Sequence, residues 1–140
     1  MDAWIYKGKE FSDEMIFDNY GFVYIITNKT NGKKYIGKKY FYSTKYKQVN
    51  KKKKRIKVYS DWKSYFGSNE HIKEEVKSFG YSNFKREIIR LCKTKGECSY
   101  FEAKEQFDRD VLLDDNYYNG IINCRINKSH LKNLNKQDLS

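Results

Sequence analysis

Histidine pairs, the commonest source of proton transfer, are not available to this chain, which carries only His71 and His130. Its chemistry-bearing residues are of other kinds. Thirteen tyrosines are present, and a phenol within reach of a water can take or relay a proton. Carboxylates occur on a late helical stretch, where one could hold a hard divalent ion such as Mg2+. Lysine and arginine are plentiful and can clamp a phosphate. Phenol, carboxylate, metal ion and cation together match what hydrolysis of a phosphodiester demands: an activated nucleophile, neutralised phosphate oxygens and help for the leaving oxygen. Cys92, Cys98 and Cys124 are odd in number and form no CxxC pair, so neither a disulfide framework nor a zinc site is indicated, and a reducing compartment fits.

The charge is concentrated. The formal net charge is +11, yet no acidic residue occurs between Asp18 and Asp61. Residues 29–59 carry thirteen Lys or Arg, leaving 16 basic and 18 acidic residues elsewhere. A random compositional bias would not exclude acids over so long a stretch, and a polyanion such as double-stranded DNA is the partner this implies. Lys38, Lys51, Lys52, Lys53, Lys54, Lys57 and Lys63 are the candidate DNA contacts. The run from Lys51 to Lys57 lacks the Asn or Gln that base reading usually recruits, so it is expected to hold the backbone. No secretory core and no run of about 20 apolar residues is visible, so a soluble, cytoplasmic protein without a membrane partner is expected.

The elements that must position these groups follow from pattern. At 140 residues the chain has room for one domain. Residues 1–19 read as an N-terminal extension lying on it, with Trp4, Ile5, Tyr6, Phe11, Met15, Ile16 and Phe17 as packing contacts. Tyr20–Thr27 and Lys34–Gly37 read as strands joined through Asn31-Gly32, a strong hairpin marker. Residues 38–60 read as a long basic, aromatic-studded loop with some helical character. Ser68 or Asn69 caps a helix over 69–79 that buries Ile72, Val76 and Phe79, and Gly80 stops it. Phe84–Cys92 reads as a third strand. Glu97 to about Leu113 reads as a second helix with Tyr100, Ala103, Phe107 and Val111 on one stripe. The domain closes over 116–126, and 127–140 reads as a polar, frayed tail. The expected architecture is α+β: a small three-stranded antiparallel sheet flanked by helices, over residues 20–126.

Within that layout, Phe22-Val23-Tyr24 and Tyr35-Ile36-Gly37, with tyrosines eleven positions apart, resemble the signature of the GIY-YIG nucleases, the first motif relaxed. Downstream, Asp61-Trp62-Lys63-Ser64-Tyr65-Phe66-Gly67-Ser68, then Phe79-Gly80 and Asn83-Phe84-Lys85-Arg86-Glu87-Ile88-Ile89, resemble the phage-encoded homing and Seg-like branch. The resemblance covers about residues 20–123.

It implies a metal-dependent cut of DNA, with Mg2+ or Mn2+, in host cytoplasm if phage-encoded, serving homing or host-DNA degradation. Tyr24 and Tyr35 carry over as the motif tyrosines, either of which could activate the water. Counting without gaps from Asn83-Phe84 makes Glu102 the metal ligand, whereas counting by Phe107 favours Glu105. Asn119, in Tyr117-Tyr118-Asn119-Gly120, matches the late Asn. The family's Arg soon after the second motif has no counterpart: the first Arg after Gly37 is Arg55, so Lys39 or Arg55 would substitute, a lysine without the bidentate fork. That departure leaves open a basic DNA-binding module of the same fold with weak or no catalysis. A packaging protein that condenses DNA is a further alternative.

Overall fold

The computed structural model describes residues 2–139. Its strands are β1 (Ile5–Tyr6), β2 (Lys9–Glu10), β3 (Gly21–Asn28), β4 (Lys34–Tyr40), β5 (Tyr42–Val49), β6 (Lys52–Tyr59) and β7 (Phe84–Cys92). Helix α1 (Glu70–Phe79) precedes β7 and helix α2 (Lys95–Asp108) follows it. The β3–β4 hairpin turns where Asn-Gly predicts: Gly32 takes φ +74°, the Gly32 N–H donates to the Asn28 carbonyl at 2.8 Å, and the Lys33 N–H to the Asn31 side chain at 2.9 Å. Every residue of β3 except Thr27 is buried. A strand apolar on both faces belongs in the middle of a covered sheet, and β3 lies between β7 and β4, antiparallel to both.

The sheet has five strands, in the order β2-β1-β7-β3-β4, rather than three. The added pair comes from residues 1–19. Ile5 and Tyr6 run parallel to Glu87 and Ile88, and the chain reverses through Lys7 and Gly8, with φ of 50° and 79°, so that β2 pairs back on β1. Strands of two residues are too short to display alternation, so pattern alone does not reveal them. Trp4 is 1% exposed and donates its indole N–H to the Trp62 carbonyl at 2.7 Å, which fixes this segment on the sheet.

Residues 38–60 are not a loop. β4 continues to Tyr40, Phe41 is buried, and β5 and β6 form a separate two-stranded antiparallel sheet from Tyr42↔Tyr59 to Val49↔Lys52. Asn50 and Lys51, with φ of 50° and 64°, make the two-residue turn that matches strand twist. Most of this hairpin is exposed on both faces, so no core imposes a period-two apolar pattern on its sequence.

Asn69 caps α1, accepting from the His71 and Ile72 N–H groups, and Gly80 ends it at φ 87°. Ile72 is buried but Phe79 is 56% exposed. Helix α2 starts at Thr94, which accepts from the Glu97 N–H, and ends at Asp108, short of Leu113. Asp110, at φ 52°, redirects the chain into a separate turn over Val111–Leu113. Its buried stripe is Cys98, Phe101 and Gln106, with Ala103, whereas Phe107 faces solvent. The uneven alternation of β7 has a cause: a register shift opposite Val23/Tyr24 turns both Ile89 and Arg90 toward α2. Residues 127–139 are turned rather than frayed, and Leu134 and Leu139 dock beside α2.

The sheet thus separates two cores. One face packs Phe22, Tyr24, Ile26 and Ile88 against Trp4, Phe11, Trp62, Phe66 and Ile72 of the N-terminal segment, the 61–68 segment and α1. The other packs Val23, Ile25 and Ile36 against Cys98 and Phe101 of α2.

Candidate active site

Antiparallel register decides which motif side chains meet. Tyr24 lies opposite Gly37 and Ile26 opposite Tyr35, so both tyrosines and Gly37 share one face, with the two rings diagonal and 6.2 Å apart. Tyr24 is 1% exposed. Its hydroxyl lies over Gly37, where an added β-carbon would stand 2.3 Å from the oxygen. Glycine is the side chain this crossing permits.

The segment after β6 closes over the pair. The Tyr65 ring meets Tyr24 edge-on at 5.9 Å, close enough that its phenol adds to the rise in the Tyr24 pKa. Gly67, at φ +89°, brings the backbone over both motif tyrosines, and the Ser68 hydroxyl is 3.2 Å from that of Tyr35. Arg86 holds this segment from β7. Its buried guanidinium donates to the carbonyls of Lys63 at 2.9 Å and Tyr65 at 2.8 Å, and stacks between Trp4 and Phe66. Burial, only partly offset by the Asp2 charge, brings its pKa down to about 10. Tyr65 and Ser68 are therefore members of the cluster that motif matching did not single out. Their signal lay in the Tyr-Phe-Gly-Ser string, which served the resemblance without being read as site chemistry.

Burial pushes the Tyr24 phenol well above the ordinary tyrosine value, and Tyr65 and Tyr35 add to the rise. Tyr35 is half-buried and also raised, chiefly by burial, which its hydrogen bond to Ser68 partly offsets. No cation lowers either phenol. Glu102 comes from α2, on the opposite face, and meets the sheet along the outer edge of β4. There the Lys38 ammonium and backbone N–H favour its ionised form, but burial outweighs them and the carboxyl is raised. Its charge bears on Tyr24 and Tyr35 alike. Glu105, by contrast, is held in a salt bridge to Arg109 at 3.1 Å. Of the two carboxylates, Glu102 is the one beside the tyrosines and outside any salt bridge among the described residues.

Asn119 has a structural task. Its amide accepts from the Ile36 N–H at 3.0 Å and donates to the Ile36 carbonyl at 2.8 Å. Gln106 donates to that same carbonyl at 3.1 Å. With Lys34 and Tyr117 bridged in parallel, this closes the outer edge of β4 immediately before Gly37.

The basic candidates divide by place. Lys39 shares the tyrosine face, being opposite Phe22. It bonds Asp61 at 2.6 Å and lies 4.1 Å above the Tyr65 ring. Lys38 points to the other face and donates to Ser99 at 2.6 Å. Lys63 is engaged with Asp13 at 2.8 Å. Arg55 is not brought to the tyrosines: it sits opposite Tyr46 in the β5–β6 hairpin, four residues or about 13 Å beyond its base. Lys51, Lys52, Lys53 and Lys54 occupy the tip of that hairpin, and Lys57 lies over Tyr42 at 3.9 Å.

No three His, Cys, Asp or Glu side chains gather among the described residues to cage a metal. The donor set suits an ion of the Mg2+ kind, which is commonly held by one or two carboxylates and completed by water and phosphate oxygens. Glu102, outside any salt bridge among the described residues, is the carboxylate here best placed to serve.

A family model described as "Putative endonuclease segE, GIY-YIG domain" matches residues 4–122. The chain belongs to the GIY-YIG family. Similarity extends to the protein named "Putative endonuclease segE" of Enterobacteria phage T4, 36% identical over 100 residues, which is 71% of this chain and 40% of that protein. The chain therefore matches well under half the length of that relative. No solved structure matches. The GIY-YIG match begins at Trp4, so it takes in β1 and β2, which sequence reading assigned to an extension. No helix is long and apolar enough to cross a membrane.

Proposed function

We propose that the chain is a metal-dependent endonuclease that hydrolyses phosphodiester bonds of double-stranded DNA, with the reaction run beside Tyr35 and Glu102. One observation carries the reading: a half-buried carboxylate outside any salt bridge bears electrostatically on two neighbouring phenols that meet over a glycine on the outer strand of the sheet. Tyr35, whose hydroxyl is reachable, faces the attacking water. As the water oxygen bonds to phosphorus, the P–O bond to the leaving ester oxygen breaks. The water proton moves to the Tyr35 oxygen, the phenol proton passes to Ser68, and the exposed Ser68 hydroxyl releases its own proton to solvent. The leaving oxygen takes a proton from solvent water. A raised phenol keeps its own proton at neutral pH, so relay rather than a standing phenoxide fits the site. Tyr24 orients Tyr35 from below through ring contact. Lys39, on the same face, clamps the phosphate as a point charge in place of an arginine. A divalent ion on Glu102, Mg2+ or Mn2+, would neutralise the phosphate oxygens and assist the leaving oxygen.

The test is nicking of supercoiled plasmid with and without a divalent ion. The reading requires cutting that a chelator abolishes and that Glu102→Gln loses with binding retained. The position of Arg55, away from the phenols, favours the rival of a catalytically inert DNA-binding module, and plasmid bound but intact in Mg2+ and in Mn2+ would establish that rival. The phage relative suggests action in a host cytoplasm, in homing or in degradation of host DNA.

A further inference from the structure

We propose that the β5–β6 hairpin is a β-ribbon that enters the major groove of duplex DNA and reads bases through Arg55 and Gln48, an inference that rests on the DNA reading above. Between Tyr42 and Tyr59 there are eight basic residues and no acidic one. The pairing sets Lys47 directly against Lys54, and like charges opposed across strands are destabilising. A lone two-stranded ribbon is at best marginal in water, and this one joins no other strand. It is anchored only at its base, where Tyr42 stacks on Tyr59 at 5.3 Å and meets Tyr20 at 5.8 Å. An arm so charged and so thinly supported is built to be completed by a polyanion.

The register gives its two faces different chemistry. Thr44, Tyr46, Gln48, Lys53, Arg55 and Lys57 alternate onto one face, while Lys45, Lys47, Lys52 and Lys54, with Val49 and Ile56 between them, alternate onto the other. The first face has the side chains that discriminate bases: a guanidinium that can bridge guanine O6 and N7, and an amide that can pair with adenine. Tyr46, 67% exposed opposite Arg55, adds a flat apolar surface. The second face has cations suited only to phosphates. Dimensions agree. Strands of eight residues extend about 27 Å, and the DNA major groove, about 12 Å wide, admits a two-stranded ribbon. Side chains on one face recur every ~6.8 Å, about two base-pair steps. The deep, narrow major groove of duplex RNA excludes such a ribbon. Gln48, the farther reader, lies eleven positions beyond Gly37, so the bases read lie within ~37 Å, about eleven base pairs, of the bond cut.

The deciding experiment selects bound sequences from a random DNA duplex library with the full chain carrying Glu102→Gln, then repeats the selection with Arg55→Ala/Gln48→Ala and with Lys47→Ala/Lys54→Ala added. Selection by binding is independent of cutting, so failure of the nuclease reading and failure of this one remain distinguishable. The expected result is a short enriched sequence whose preference over random duplex falls about tenfold or more in the Arg55/Gln48 variant. The Lys47/Lys54 variant should weaken all duplexes alike and flatten the dependence of log K on log salt by about two. All four side chains are exposed, so thermal midpoints should stay near that of the parent. A parent that enriches nothing, a preference that survives Arg55→Ala/Gln48→Ala, or stronger retention of single strands than of duplex would each overturn the proposal.

Discussion

The hydroxyl of Tyr24 crosses over Gly37 so closely that the glycine has no room for a β-carbon, which would lie 2.3 Å from the oxygen and 2.6 Å from the ring carbon bearing it. Tyr24 cannot retreat, since Trp4, Phe22 and Tyr65 surround its ring. Gly37→Ala should therefore destabilise the fold by about 1–3 kcal/mol, as overpacking does, and displace Tyr35 enough to depress cutting. Denaturant unfolding and plasmid nicking measure the two effects. Full stability in the alanine variant would mean that the ring moves freely.

Glu102→Gln should abolish cutting and leave duplex affinity nearly unchanged, whereas Glu105→Gln should cut at close to the parental rate and lose only its salt bridge to Arg109. The raised pKa of Glu102 adds a stability signature. Its folded pKa lies above the unfolded value, so the folded state holds the proton more tightly and stability falls as pH rises through that interval. Glutamine removes this loss. The Glu102→Gln protein should thus have a higher thermal midpoint than the parent at pH 7, with the difference vanishing below about pH 4. A lower midpoint at pH 7 would make Glu102 a structural partner of Lys38 instead. For the same reason, the acid limb of nicking should lie above the ordinary carboxylate range.

The two motif tyrosines should separate. Tyr35→Phe removes the reachable hydroxyl and should slow cutting about 10²-fold or more at unchanged binding. Tyr24→Phe removes a buried hydroxyl packed over Gly37 and should shift stability, by about 1 kcal/mol, more than it shifts turnover. Both phenols are raised, so no tyrosine ionisation should bend the rate profile below about pH 10. Equal, large rate losses in both variants would give Tyr24 a direct part in proton transfer.

Asn119→Ala strips both partners that the side chain gives Ile36. With the N–H left unpaired and buried, unfolding free energy should drop by about 1–3 kcal/mol. A variant as stable as the parent but inactive would return Asn119 to the chemistry.

The Tyr24–Tyr35 hairpin, α1 with its Asn69 cap and the strand at Phe84–Cys92 were legible because each is marked by local signals: Asn-Gly, a capping side chain, an apolar run. The length of the sheet was not. β1 and β2 owe their existence to Trp4 and to a neighbour more than eighty positions away, and no local pattern records that. The β5–β6 ribbon escaped for the opposite reason, its strands being too exposed for burial to imprint alternation. Misreading Phe107 as an inward residue of α2 came from taking apolarity as burial, when Cys98 and Gln106 carry the buried stripe. Within the candidate site, Tyr24, Tyr35 and Glu102 (or Glu105) came from the family resemblance, and the structure sets the two tyrosines on one face. Tyr65, Ser68 and the anchoring role of Arg86 depend on a fold-back that only tertiary structure supplies.

The pairing of Ile5 with Glu87 also bears on how the molecule comes into being. During synthesis the segment around Trp4 leaves the ribosome well before the strand that receives it, which emerges some eighty residues later. At the usual pace of about 5–20 residues per second, Trp4 waits several seconds without its seat. The nascent chain displays its basic arm and its tyrosine hairpin before the sheet can close around them. The candidate site is then assembled in one late step rather than gradually, so a chain arrested before β7 would carry the motifs without the geometry that joins them.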